Sequence, residues 1–163
     1  MHTALAFLRT AVARISRAVA ISALLVAIAA GAFQILARFV LGEPSTTSEV
    51  LIRASLVWMV FFGLPLCILN RHLAAVTFLR GLLPPRWSRR LDVAVMAVVA
   101  GLCAYLAYHG FGILERVQFQ KVAGLGISIV WMYLAIPLGS VLSAVAALAC
   151  LGQPPAHAEI REV

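Results

Sequence analysis

Between Arg17 and Arg38 the chain runs through residues 18–37 without a charge, and the polar side chains in that run are Ser22 and Gln34. At ~1.5 Å of rise per residue, a helix of about 20 residues is ~30 Å long, the thickness of a bilayer's hydrocarbon core. The run therefore reads as a membrane-spanning helix. Composition extends this to the whole chain: 63% of its 163 residues are hydrophobic and 12% are charged. A soluble domain carries about twice that charge, so a water-soluble globule is excluded. About four crossings would use half of this length and leave no room for a large extramembrane domain. The formal charge of +7 does not point to nucleic acid, because the basic residues are strung between apolar blocks and lack a polar face to collect them. Arg9, Arg14 and Arg17 precede the first run as they would in a signal peptide. The run is long for a signal core and is followed by a poor cleavage sequence, so a retained helix is expected.

Three further blocks follow. Gly42, Glu43, Pro44, Ser45, Thr46 and Thr47 form a turn, and the Thr46/Glu49 capping box predicts a second helix over 48–69, with Pro65 near its end. Asn70, Arg71 and His72 stop it. The third and fourth spans are expected over 91–114 and 125–151, and Pro137 predicts a bend within the last. Residues 152–163 read as a tail. The fold expected is an all-α integral membrane protein whose four-helix transmembrane domain occupies 18–151. No tandem or inverted repeat is visible, which argues against an alternating-access pathway formed by this chain alone.

Arginine placement sets the orientation. With the N-terminus inside, the cytoplasmic side holds Arg9, Arg14, Arg17, Arg71, Arg80, Arg86, Arg89, Arg90 and Arg161, against Arg38, Arg116 and Lys121 outside. The positive-inside rule then places both termini in the cytoplasm.

Two connecting segments are amphipathic. In residues 1–17, Ala4, Leu5, Leu8, Ala11, Val12 and Ile15 share an arc opposite Arg9, Thr10, Arg14 and Arg17, the pattern of an interfacial helix. In the central connection, Val76, Leu79, Leu82 and Leu83 share a face, followed by Pro84, Pro85 and an anchor of Arg86, Trp87, Arg89 and Arg90. The alternative for both pieces is that they are the snorkelling ends of longer, tilted helices.

Ionisable groups in spans are costly and invite a functional reading. Arg53 follows Glu49 by four residues, the favourable order for a helical ion pair, and Arg38 lies across the short turn. A cluster of Arg38, Glu49 and Arg53 could bridge the first two helices or face a partner, or Arg53 could simply snorkel outward. His72 and His109 have no metal-ligand spacing, and Cys67, Cys103 and Cys150 sit in apolar blocks as packing residues. No set of nucleophile, base and orienting group is present, so no catalytic, metal or cofactor site is expected. Ala23, Ala27 and Gly31 on the first helix, and Gly139, Ser143 and Ala147 on the fourth, form small-residue stripes that serve packing within the chain or docking between chains.

Arg38-Phe39 with Gly42 and Pro44, Ser48-Glu49, Arg53, Trp58, Phe62-Gly63 and Arg71-His72 resemble the DctQ-like small permease subunit of tripartite ATP-independent periplasmic (TRAP) transporters. The stretch from Ile127 through Trp131 and Tyr133 to Ile136, Pro137 and Gly139 resembles that family's closing pattern. Thr46, Thr47 and Ser48 stand where the family often has a Trp. The resemblance makes Arg38, Glu49, Arg53, Trp58, His72, Trp131 and Pro137 the candidate partner or structural interface residues. It implies a non-enzymatic scaffold in a bacterial inner membrane, contacting lipid and a large elevator-type permease subunit. A periplasmic binding protein would deliver an organic acid for sodium-coupled uptake. The alternatives are the small subunit of a tripartite tricarboxylate transporter, which shares the layout, and a small four-helix membrane enzyme, which should show more polar residues around a cofactor pocket.

Overall fold

The computed structural model describes residues 2–42, 46–70, 85–121, 126 and 128–151. Among the described residues it is helical apart from short turns and one isolated bridge, with no strand. Helix α1 covers His2–Leu36 and passes into a π-turn, Ala37–Leu41; α2 covers Thr46–Leu69, α3 covers Pro85–Val117, α4 covers Val130–Tyr133 and α5 covers Ala135–Leu151. Four of these segments are long and apolar enough to cross a bilayer, the last formed by α4 and α5 together. His72, the amphipathic stretch 76–83 and the tail 152–163 lie outside the described residues.

Helix limits differ from the apolar blocks in instructive ways. α1 runs unbroken through residue 17, so the arginine-bearing stretch and the first apolar run form one continuous helix. Arg and Ala are good helix formers, and a charge does not end a helix. α3 likewise begins at Pro85, ahead of the expected 91, since proline suits a first helical position whose N–H would be unpaired anyway. Gly42 closes the π-turn with φ 70°, a left-handed conformation that glycine adopts without Cβ strain.

The bend expected from Pro137 appears as a break at Leu134, between α4 and α5. Pro137 has no N–H for the Tyr133 carbonyl, and its ring crowds that turn. The next bond, from Leu138 N–H to the Leu134 carbonyl, is stretched to 3.4 Å. Pro65 acts differently: α2 continues through it, and the cost is confined to the Phe61 carbonyl, which loses its i+4 donor.

Among the described residues, α1 packs on α2, α2 on α5, and α5 on α3, while α3 packs on neither α1 nor α2. The helices thus stand in an open row of order α1, α2, α5, α3. The fourth span is its hub, 50% of its apolar window being buried against 17–22% for the others. Buried Val12, Ile68, Leu69, Met96, Ala100, Ala146, Ala147 and Cys150 cluster where the start of α1, the end of α2, the start of α3 and the end of α5 meet, which we term the core end. The opposite end carries the α1–α2 turn.

In lipid no hydrophobic force drives helices together, so close van der Waals approach must hold the row. Many of the buried positions are small, and they recur at heptad spacing. On α3 they are Met96, Ala100, Cys103, Ala107 and Gly110; on α1 Ala23, Ala27, Ala30 and Ala37; on α2 Ser48, Ser55 and Phe62. Both small-residue stripes read from the sequence lie on inward faces, and Ser143 and Ala147 are fully buried. The stripes therefore serve packing within the chain.

Candidate functional site

The tightest joint of the row lies between α2 and α5. A Cβ added at Gly139 would stand 2.6 Å from Phe61 Cβ and 2.6 Å from Phe61 O. The carbonyl freed by Pro65 thus faces the one kind of residue whose backbone can approach it so closely. A Cα–H···O contact there would return ~0.5–1 kcal/mol of the lost hydrogen bond. On the other side of the hub, the α3–α5 joint seats the Pro137 ring against Gly110, where a Cβ would meet Pro137 Cδ at 3.2 Å. Pro65 and Pro137 are both fully buried.

Two candidate residues far apart in sequence meet near the break in the fourth span. Trp58 Nε1–H donates to the Trp131 carbonyl at 3.0 Å, while the Trp58 ring stacks on Phe62 with centroids 5.3 Å apart and planes at 8°. The Trp131 ring itself is 66% exposed. Trp58 and Trp131 therefore share a joint between α2 and α4, with the Trp131 indole outward-facing, while Pro137 belongs to the α3–α5 joint.

At the turn end the expected cluster forms in part. Arg53 Nη2–H donates to Glu49 Oε1 in an i,i+4 ion pair whose side chains are 68% and 50% exposed respectively. An exposed pair of this kind contributes ~0–1 kcal/mol. Arg38 lies in the π-turn with an exposed side chain, and among the described residues no ion pair joins it to Glu49. Glu49 sits in the first turn of α2, where its charge also favours the positive end of the helix dipole.

Among the described residues no group of three or more His, Cys, Asp and Glu could hold a metal. His109 packs on Tyr105, with ring centroids at 4.2 Å, and on Tyr108 at 5.3 Å. Cys150 Sγ–H reaches the Ile68 carbonyl at 3.8 Å, and the buried hydroxyls of Ser16, Ser140 and Ser143 have no partner among the described residues. The connection from α3 to α4 is tied by an antiparallel bridge between Lys121 and Ser128 and by Ile129 N–H donating to the Gln120 carbonyl at 3.1 Å. Of the basic anchors, Arg9, Arg14 and Arg17 line a cavity between α1 and the end of α2. Arg90 is exposed near the start of α3, and Arg86, Trp87 and Arg89 fall in its first turn, with side chains outside the described residues.

Sequence reading missed the partners of the two glycine contacts, Phe61 and Pro137, and the α3 seam itself. The seam was visible as the 4-3-4-3 spacing of Met96, Ala100, Cys103, Ala107 and Gly110. The Phe61 contact had a subtler signal: a proline always orphans the carbonyl four residues before it, and a glycine in a facing helix can approach it.

The model of one family, described as tripartite ATP-independent periplasmic transporters, DctQ component, matches residues 27–153. That range takes in the last 14 residues of the first span, Ala6–Val40, and all of the other three. A similar protein is the sialic acid TRAP transporter small permease protein SiaQ of Vibrio cholerae serotype O1 (strain ATCC 39315 / El Tor Inaba N16961), 28% identical over 109 residues, 67% of this chain. The chain spans 63% of the length of that relative.

Proposed function

Because the chain belongs to the DctQ component family of tripartite ATP-independent periplasmic transporters, we propose that it is the small membrane subunit of such a transporter, scaffolding a large elevator-type permease subunit in a bacterial inner membrane. The family match sets aside the tricarboxylate alternative. A periplasmic binding protein supplies an organic acid, and a sodium gradient drives its uptake through the large subunit. Both termini of this chain face the cytoplasm. The family match across the spans carries this reading. The relative named for sialic acid supports an organic acid as the class of cargo.

The physical role follows from the joints. A scaffold must not deform when its partner moves, and the hub helix α5 is locked on one side by the Gly139–Phe61 approach and on the other by Gly110–Pro137. Small residues let these helix backbones approach closely and keep the joints rigid. Trp58, Trp131 and Pro137 act through these internal joints, while Glu49, Arg53 and the outward Trp131 ring are the side chains we assign to contact with the large subunit.

Proteoliposomes provide the test. The chain alone should accumulate no organic acid, and the chain together with the large subunit, the binding protein and an inward sodium gradient should do so. Uptake by the isolated chain, or full uptake by a complex lacking it, would overturn the proposal.

A further inference from the structure

We propose that the cavity between the start of α1 and the end of α2 is a binding site for the headgroup of an anionic phospholipid. The cavity measures about 660 Å³ and is lined by Arg9, Arg14 and Arg17, with Asn70 beside them. That volume falls within the ~300–1,000 Å³ typical of small-ligand sites. Among the described residues no carboxylate lines it, so a ligand phosphate meets guanidinium groups that can bind its oxygens in a bidentate fashion. Arg14 and Arg17 are both exposed and carry the argument. Ile21 and Leu69 form the wall nearer the spans and suit the first methylenes of acyl chains.

Depth selects a lipid as the source of that phosphate. Arg17 and Arg38 bracket the uncharged part of the first span, and 21 residues of helix cover ~31 Å, close to the ~30 Å of hydrocarbon. With Arg38 at one boundary, Arg17 stands at the other, and Arg14 and Arg9 lie ~4 and ~12 Å farther out along the helix, at the level of phosphates and glycerols. The helix is held in that position rather than free to drift: Val12 is 6% exposed and Ser16 is fully buried against the core end.

The test is a titration of the full-length chain, purified in mild detergent and stripped of lipid, followed by native mass spectrometry. The probes are phosphatidylglycerol, phosphatidylcholine of the same chain length, and inorganic phosphate. Wild type should bind one phosphatidylglycerol in preference to phosphatidylcholine, and excess inorganic phosphate should not displace it. The Arg14→Gln/Arg17→Gln variant should bind phosphatidylglycerol about tenfold more weakly, with an unchanged circular dichroism spectrum, and Arg14→Lys/Arg17→Lys should fall between the two. Equal binding of the two lipids would overturn the site. So would equal loss in an Arg116→Gln/Lys121→Gln control at the end of α3 and in the connection that follows it, and displacement by equimolar inorganic phosphate would reassign the cavity to a free anion. These readouts need no transport partner, so they stand or fall independently of the proposed transport role.

Discussion

Trp58 and Trp131 are joined through one indole and one backbone: the Trp58 N–H donates to the Trp131 carbonyl at 3.0 Å, three residues before the fourth span breaks at Leu134. The bond fastens α2 to the short helix on the far side of that break. Trp58→Phe keeps a ring to stack on Phe62 and removes the donor. It should lower the stability of the purified chain in detergent by ~0.5–1.5 kcal/mol. Trp131→Phe keeps the accepting carbonyl and should leave thermal unfolding unchanged, so equal losses in both variants would show that the bond does not hold the joint.

Gly139→Ala places a methyl group 2.6 Å from the backbone oxygen of Phe61, an atom that cannot rotate away. α2 and α5 must part, at a cost of ~1–3 kcal/mol. Gly112 has open space around its missing Cβ, and Gly112→Ala should be neutral or stabilise by up to ~1 kcal/mol through helix propensity. Thermal unfolding of the two variants should therefore move in opposite directions or differ clearly in size.

Glu49→Gln removes the charge that Arg53 engages. Both side chains are at least half exposed, so the isolated chain should lose no more than ~1 kcal/mol. If the pair meets the large subunit, the same variant should weaken co-purification of the complex, because an arginine left unpaired at a poorly solvated interface is costly. Glu115→Gln, on the exposed end of α3, should change neither measurement.

Topology is checked by reporter fusions. A reporter after Val163 should be active on the cytoplasmic side, and one inserted after Gly42 on the periplasmic side. The reverse pattern would invert every statement about which end of the row faces the cytoplasm.

Charge and hydropathy located all four spans, because lipid burial is written directly into runs such as 18–37. They could not mark where α1 and α3 begin, since the arginines of α1 and Pro85 of α3 are compatible with helix. Glu49 and Arg53 were legible as a pair from an i,i+4 spacing that any helix brings together. Whether Arg38 would join them depended on the turn, and the π-turn at Ala37–Leu41 leaves it apart. The Trp58–Trp131 and Gly139–Phe61 contacts are products of how α2 and α5 stack, a relation between residues 73 and 78 positions apart that no local pattern encodes.

The two longest helices stand at the two edges of the row, and each has its own charged boundary marks: Arg17 on α1 with Arg38 in the π-turn that continues it, and Asp92 and Glu115 on α3. With interaxial gaps of ~8–10 Å, the edges lie roughly 27 Å apart. Rotating the row by about 10° in its own plane would raise one edge and lower the other by ~2 Å, drawing charged side chains at opposite corners toward hydrocarbon. Hydrophobic mismatch resists such movement by fractions of a kcal/mol per ångström. The bilayer thus acts on the row as a spring at each end of a beam, and the stiffness of that spring is set by acyl chain length.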